Sequence, residues 1–185
     1  VIFGLIHILN YYTSNPLHLV GDRSIIQIPA QNDSSIVYEI GQCTSDKKQP
    51  FKYVIINKKV DGKYFRELEL LEPFNNQVGN KIIQEIDARR ADWVRYCANK
   101  DAAGLVNNVY AEDAIYYNHK PPLTGRVAIT KEYQYMNNPA YNLNLKPVHI
   151  EVVNETTVFE IGQGIGSYEG KYIIIWKKDL RDGIW

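Results

Sequence analysis

From Lys81 onward the apolar positions recur at helical spacing: KIIQEIDARRADWVRYCANKD places Ile82, Ile83, Ile86, Arg90, Trp93 and Cys97 along one stripe. A shorter helix, DAAGLVNNVYAED, follows with Asp101 as its cap and leads into the strand AIYYNH. Further on, QYMNNPAY is an amphipathic helical run closed by Asn-Pro, because the residue before a proline is pushed out of the helical region. The pattern then changes to alternation. VHIEVV enters a turn at Asn-Glu and leaves into TTVFEIGQGIGSY, which predicts a long antiparallel hairpin, and KYIIIWKK pairs next before an Asp-Gly turn.

The same series occurs earlier in the chain. IVYEIGQ (36–42) matches TVFEIGQ (157–163), YYTSNPLH faces QYMNNPAY, IIQIPA faces VHIEVV, and FKYVIINKKVDGKYF faces GKYIIIWKKDLRDGIW. The differences fall in turns, as a duplicated folding unit tolerates. This predicts an incomplete first repeat of one helix and four strands over 1–74, a linker NNQVGN over 75–80, and a second unit over 81–185. The first lacks two leading helices and a first strand; the second stops before a closing strand, which leaves truncation, omitted pieces or completion of the second unit by the first one's strands, with the first two favoured since an open sheet edge would expose unpaired backbone groups.

Composition narrows the function classes. A 45% hydrophobic and 23% charged content is that of an ordinary globular chain. Lys+Arg and Asp+Glu are equal at 21 each, so nucleic acid is not an expected partner, although a local patch would escape such a count. The opening VIFGLIHILNYY is too short for a membrane span and has no cationic segment before it, so no membrane is expected. The 14 tyrosines suit half-buried sheets or a pocket wall. Cys43 and Cys97 imply no disulfide framework, and whether they form one bridge is left open.

Two helices, a strand, PPLTGRVAI opening a third helix and a meander of long strands give an order that resembles the nuclear-transport-factor-two-like superfamily and, within it, the SnoaL-like branch. The residues carrying the resemblance are ADWVRYCANKDAAGLVNNVYAEDAIYY, LTGRVAI, GKYIIIWKK and DGIW, within 82–185. It implies an α+β, cystatin-like fold: a curved antiparallel sheet wrapped around three helices as a cone with an apolar pocket, here in two tandem copies. Isomerases, cyclases, dehydratases, hydrolases and inert assembly domains share that fold, so it does not give function. Against the ketosteroid isomerase pattern, the donor tyrosine position holds Trp93, the base position holds Asn118, and the second donor falls near Tyr172. An indole and an amide cannot shuttle a proton between carbons, which argues against that reaction.

The residues expected at the cone mouth as ligand contacts are Arg90, Trp93, Tyr96, Tyr116, Asn118, Tyr172 and Trp176. Arg90 interrupts an apolar stripe: it either snorkels to solvent or sits inside the cone, held by Asp113 or Glu160, where it would bind a carboxylate. His119 and His149 are the weak catalytic candidates. His119 reads as a base at a strand end or as an exposed loop residue, and His149 shares a strand face with Glu151, toward either pocket or solvent. Glu160, kept as Glu39 in the first repeat, reads as structural. The Lys58-Lys59 and Lys177-Lys178 pairs read as sheet-edge protection, and the glycines of GQGIG as a bulge site. No spacing suits a metal or a phosphate-cradling loop, and no cofactor is expected.

The leading expectation is a module that binds a small apolar or carboxylate-bearing molecule. A cofactor-independent cyclase, dehydratase or hydrolase is the first alternative. A non-catalytic oligomerisation module is the second, with homo-oligomers or the two repeats pairing through their sheets.

Overall fold

The computed structural model describes residues 13–14, 17–26, 35–75, 80–118, 121–167 and 169–185, with 17–26 and residue 80 described as backbone only. Thr13 and Ser14 are helical; the rest of the predicted first helix lies outside the described residues, as does most of the linker. The fold is α+β with antiparallel sheets. Strands β1 (Leu17–Ile26), β2 (Ile36–Ser45), β3 (Pro50–Val60) and β4 (Lys63–Pro73) form a four-stranded meander in chain order. Helices α1 (Asn80–Ala98) and α2 (Ala102–Val109) follow, then the short pair β5 (Ile115–Tyr116) and β6 (Leu123–Thr124), and helix α3 (Arg126–Glu132). A 3-10 turn over Tyr133–Asn137 leads into a three-stranded meander, β7 (Leu143–Asn154), β8 (Thr157–Gly166) and β9 (Gly170–Lys177).

Local chemistry sets the element ends. Asp101 caps α2 by accepting from the Gly104 amide at 2.7 Å. The 3-10 turn stops at Asn138, extended at ψ 121° as the following proline demands. Asp61 and Gly62 both take positive φ, 50° and 80°, which is the hairpin turn that matches strand twist between β3 and β4.

The two meanders share one register. Gly41 stands opposite Tyr53 and Glu39 opposite Ile55 in the first; Gly162 stands opposite Tyr172 and Glu160 opposite Ile174 in the second.

Each meander has two faces, and alternation decides what they bury. Ile36, Tyr38, Ile40, Val54, Ile56 and Leu70 pack in one buried cluster with Val153, Phe159 and Ile161 of the second meander, so the two sheets meet across an apolar seam. Each such side chain contributes about 1.5–3 kcal/mol when fully buried. Polar contacts ring the seam: Lys52 with Glu151, Lys177 with Glu72, Lys171 Nζ to the Ile36 carbonyl at 3.0 Å, and Asn154 Nδ2 to the Pro73 carbonyl at 2.8 Å. The opposite face of the second sheet carries Val158, Trp176 and Leu145, which join Ile86, Trp93, Cys97, Leu105, Ile129 and Met136 of the helical layer in a second core. A register shift around Val148 lets Ile150 and Val152 continue the helix-facing row that Leu143 and Leu145 begin.

Several local expectations are corrected. The bulge falls on β7, not in GQGIG. AIYYNH narrows to a two-residue strand, Ile115–Tyr116. Ile83 is 37% exposed, at the outer margin of its stripe. Lys58 and Lys59 lie on β3, an inner strand flanked by β2 and β4, so they protect no edge.

Candidate functional site

Helix α1 packs against β7 and sends side chains on to β8 and β9, a geometry that explains Arg90. The side chain is 8% exposed and does not reach solvent. Its Nε donates to Glu160 Oε1 at 2.7 Å, its Nη2 to Glu160 Oε2 at 2.9 Å, and its Nη1 to Asp87 one turn earlier at 2.6 Å. Glu160 is fully buried and also accepts from the Tyr172 hydroxyl at 2.7 Å and the Trp176 indole at 2.8 Å. A buried carboxylate is tolerated only when paired and hydrogen bonded, and four donors meet that condition here. Burial alone would lower the Arg90 pKa, but the bonds to Glu160 and Asp87 outweigh it and hold the guanidinium above its ordinary range. Burial, then the neighbouring Glu160, pushes the Tyr172 phenol well up, so it stays a donor.

Glycine makes the Tyr172 contact geometrically available. A Cβ on Gly162 would come within 2.3 Å of the Tyr172 ring and 2.5 Å of the Lys146 carbonyl, so the bare backbone is what admits the ring. The first sheet repeats the device: a Cβ on Gly41 would lie 2.3 Å from the Tyr53 hydroxyl, which donates to Glu39 at 3.0 Å. Thus the doubled EIGQ and Lys-Tyr phrases encode one cross-strand Glu-Tyr-Gly unit, used twice.

Above this network lies a run of aromatic rings. Trp93 lies 6.4 Å from Trp176, 5.2 Å from Tyr110 and 6.3 Å from Tyr133, and Tyr133 in turn lies 5.4 Å from Tyr116. The Tyr110 and Tyr133 hydroxyls bond to each other at 2.7 Å, and burial raises both pKa values. Among the described residues Trp93 Nε1 has no hydrogen-bond partner, and the Cys97 thiol lies beside it one turn on.

At the outer end of this run is a cavity of about 210 Å³, lined by Tyr116, Asn118, Pro121, Leu123 and Glu132. It brings together two of the expected ligand contacts, Tyr116 and Asn118. Trp93, Tyr172 and Trp176 instead belong to the packed interior and the Glu160 network, while Tyr96 packs partly against the core with Arg95 over its ring at 4.5 Å. His149 and Glu151 do share a side, Nε2 to Oε2 3.3 Å, and that side is the sheet seam, where Lys52 reaches the same Glu151. His119 lies outside the described residues. Among the described residues no three His, Cys, Asp or Glu side chains are grouped to hold a metal ion, and Cys43 and Cys97 are both free and buried.

The sequence reading missed Pro121, Leu123 and Glu132, which come together only through the β5-β6 pairing and the end of α3. It also missed Asp87, whose i,i+3 spacing to Arg90 was an available signal. No protein-family model matches this chain, and no curated protein is significantly similar to it.

Proposed function

We propose that this chain is a non-catalytic, SnoaL-like binding module of tandem cone units, and that it takes a small, predominantly apolar molecule at the Tyr116-Asn118 cavity. The observation that carries the reading is the cavity itself: apolar walls from Tyr116, Pro121 and Leu123, with the Asn118 amide and Glu132 carboxylate as its polar points. At about 210 Å³ it is smaller than the roughly 300–1,000 Å³ typical of sites for drug-sized ligands, so the occupant is fragment-sized. A carboxylate-bearing ligand at Arg90 is disfavoured, because all three guanidinium nitrogens already bond to Glu160 or Asp87. Catalysis through His149 is disfavoured because that ring faces the seam, on the side of the second sheet away from the helices. The tandem reading rests on the shared register and the doubled Glu-Tyr-Gly unit.

A thermal-shift screen of small aromatic and aliphatic compounds tests this, with Leu123→Arg as the control that fills the cavity. Binders that stabilise the native chain and not Leu123→Arg support the reading; binders indifferent to Leu123→Arg, or a screen without binders, count against it. The second reading is that of a structural pairing module, favoured by the apolar seam through which the two sheets already bury each other.

A further inference from the structure

The β3-β4 hairpin extends beyond the seam. Ile56, Leu68 and Leu70 at its base pack against the second sheet, whereas every residue from Lys59 to Arg66 is exposed. A Cβ on Gly62 at the turn would meet nothing within 4 Å. Three large apolar residues nevertheless sit on this tip: Val60 at 46% exposure, Tyr64 at 53% and Phe65 at 55%. Scattered exposed hydrophobics are normal, but here Val60 and Phe65 on one face and Tyr64 on the other make a projecting tip apolar on both sides. Lys58, Lys59, Lys63 and Arg66 surround them, against Asp61 alone within the same stretch. Lys58 stands 3.7 Å from Glu67 and Arg66 bonds Glu69 at 2.9 Å, while Lys59 lies over the Tyr64 ring at 5.6 Å. Among the described residues neither Lys59 nor Lys63 has a carboxylate partner.

We propose that this tip is a docking point for an anionic lipid surface: Val60, Tyr64 and Phe65 enter the headgroup-acyl boundary, and Lys59 and Lys63 meet lipid phosphates. Aromatic rings with one polar end favour that boundary, and lysines beside it are drawn to negative headgroups. Nucleic acid fits less well. Tyr64 and Phe65 are consecutive on one strand and so point to opposite faces, giving no common platform for stacked bases, and the chain as a whole carries formal net charge +0. The expectation of no membrane partner came from the opening segment, too short to span and without a cationic segment before it; among the described residues no helix is long and apolar enough to cross a bilayer. A peripheral tip requires neither. Tyr117, which lies between the cavity residues Tyr116 and Asn118, bonds Glu67 near the hairpin base, so docking would bring the cavity rim toward the lipid. The proposal does not depend on what the cavity binds.

The test is flotation of the full chain with phosphatidylcholine vesicles, with and without phosphatidylserine, at low and high salt. The expected result is binding that requires phosphatidylserine and weakens with salt. Lys59→Ala and Lys63→Ala should each lower partition about fivefold, and Tyr64→Ser with Phe65→Ser about tenfold. The Tyr64→Trp variant, which keeps an aromatic ring at the tip, should show a blue shift of its added emission on vesicle addition. Equal flotation with both vesicle types, unchanged partition of the lysine variants, an unmoved emission from the Tyr64→Trp variant, or tip-dependent RNA binding or self-association without flotation would each overturn the proposal.

Discussion

Replacing Arg90 with alanine removes three donors from two carboxylates, one of which, Glu160, has no exposed surface. Glu160 would keep the Tyr172 and Trp176 bonds but lose the only cation paired with it among the described residues. Breaking a buried pair from one side costs about 3–5 kcal/mol, because the remaining charge stays desolvated. For a chain of this size that corresponds to a fall in Tm of about 10 °C. Urea unfolding followed by both fluorescence and circular dichroism measures it and checks that the transition is two-state. Arg90→Leu combined with Glu160→Leu should cost less than the sum of the two single changes by about 2 kcal/mol. It should not return to wild type, since Tyr172 and Trp176 lose their acceptor. A loss below about 1 kcal/mol for Arg90→Ala, additive with Glu160→Leu, is the behaviour of an exposed ion pair and would refute the reasoning.

Gly162→Ala should destabilise by about 1–3 kcal/mol and more than Gly41→Ala: the added Cβ would meet the Lys146 backbone carbonyl at 2.5 Å as well as the Tyr172 ring, whereas the three nearest atoms at Gly41 all belong to the Tyr53 side chain. Equal costs in chemical unfolding would show that the ring alone decides. Burial, then nearby Lys52, lowers the His149 pKa, so the folded chain takes up this proton less readily than the unfolded chain. That group's contribution is therefore intact above the unfolded value of about 6.5 and is lost as pH falls through the lower folded value. His149→Gln should flatten the acid slope of a stability-pH profile, and an unchanged slope would contradict the assignment. Burial pushes the Cys97 thiol up to about 11 and raises Cys43 as well. Both should resist thiol reagents until the chain unfolds; one rapid equivalent in the native state would be inconsistent with this burial.

Much of the fold was legible because period and punctuation encode it. The stripe of α1, the Asp101 cap, the Asn-Pro stop and the Asp-Gly hairpin each rest on interactions within a few residues. The doubled EIGQ was visible too, but its meaning was not, because a glycine that admits a tyrosine ring depends on which residue stands opposite across the ladder. His149 and Glu151 show the same limit. Parity puts them on one face, yet the register shift at Val148 decides which way that face turns, and their partner across the seam, Lys52, lies almost a hundred positions earlier. Arg90 was recognised as a break in the stripe, with Glu160 among its two candidate partners. That it is saturated became evident only with Asp87 added to the bonds from Glu160. The cavity drew Tyr116 and Asn118 from the expected set, while Pro121, Leu123 and Glu132 had no shared spacing from which to be found.

The central claim places a small apolar ligand at the outer cavity and leaves the Arg90-Glu160 pair as structure. Its most direct measurement is chemical-shift mapping of the labelled chain during titration with a binder from the screen. The account predicts shifts concentrated on Tyr116, Asn118, Leu123 and Glu132, with the Arg90 Nε and Trp176 indole signals unmoved. Shifts centred on Arg90, Glu160 and Trp176 would contradict it and move the site into the interior.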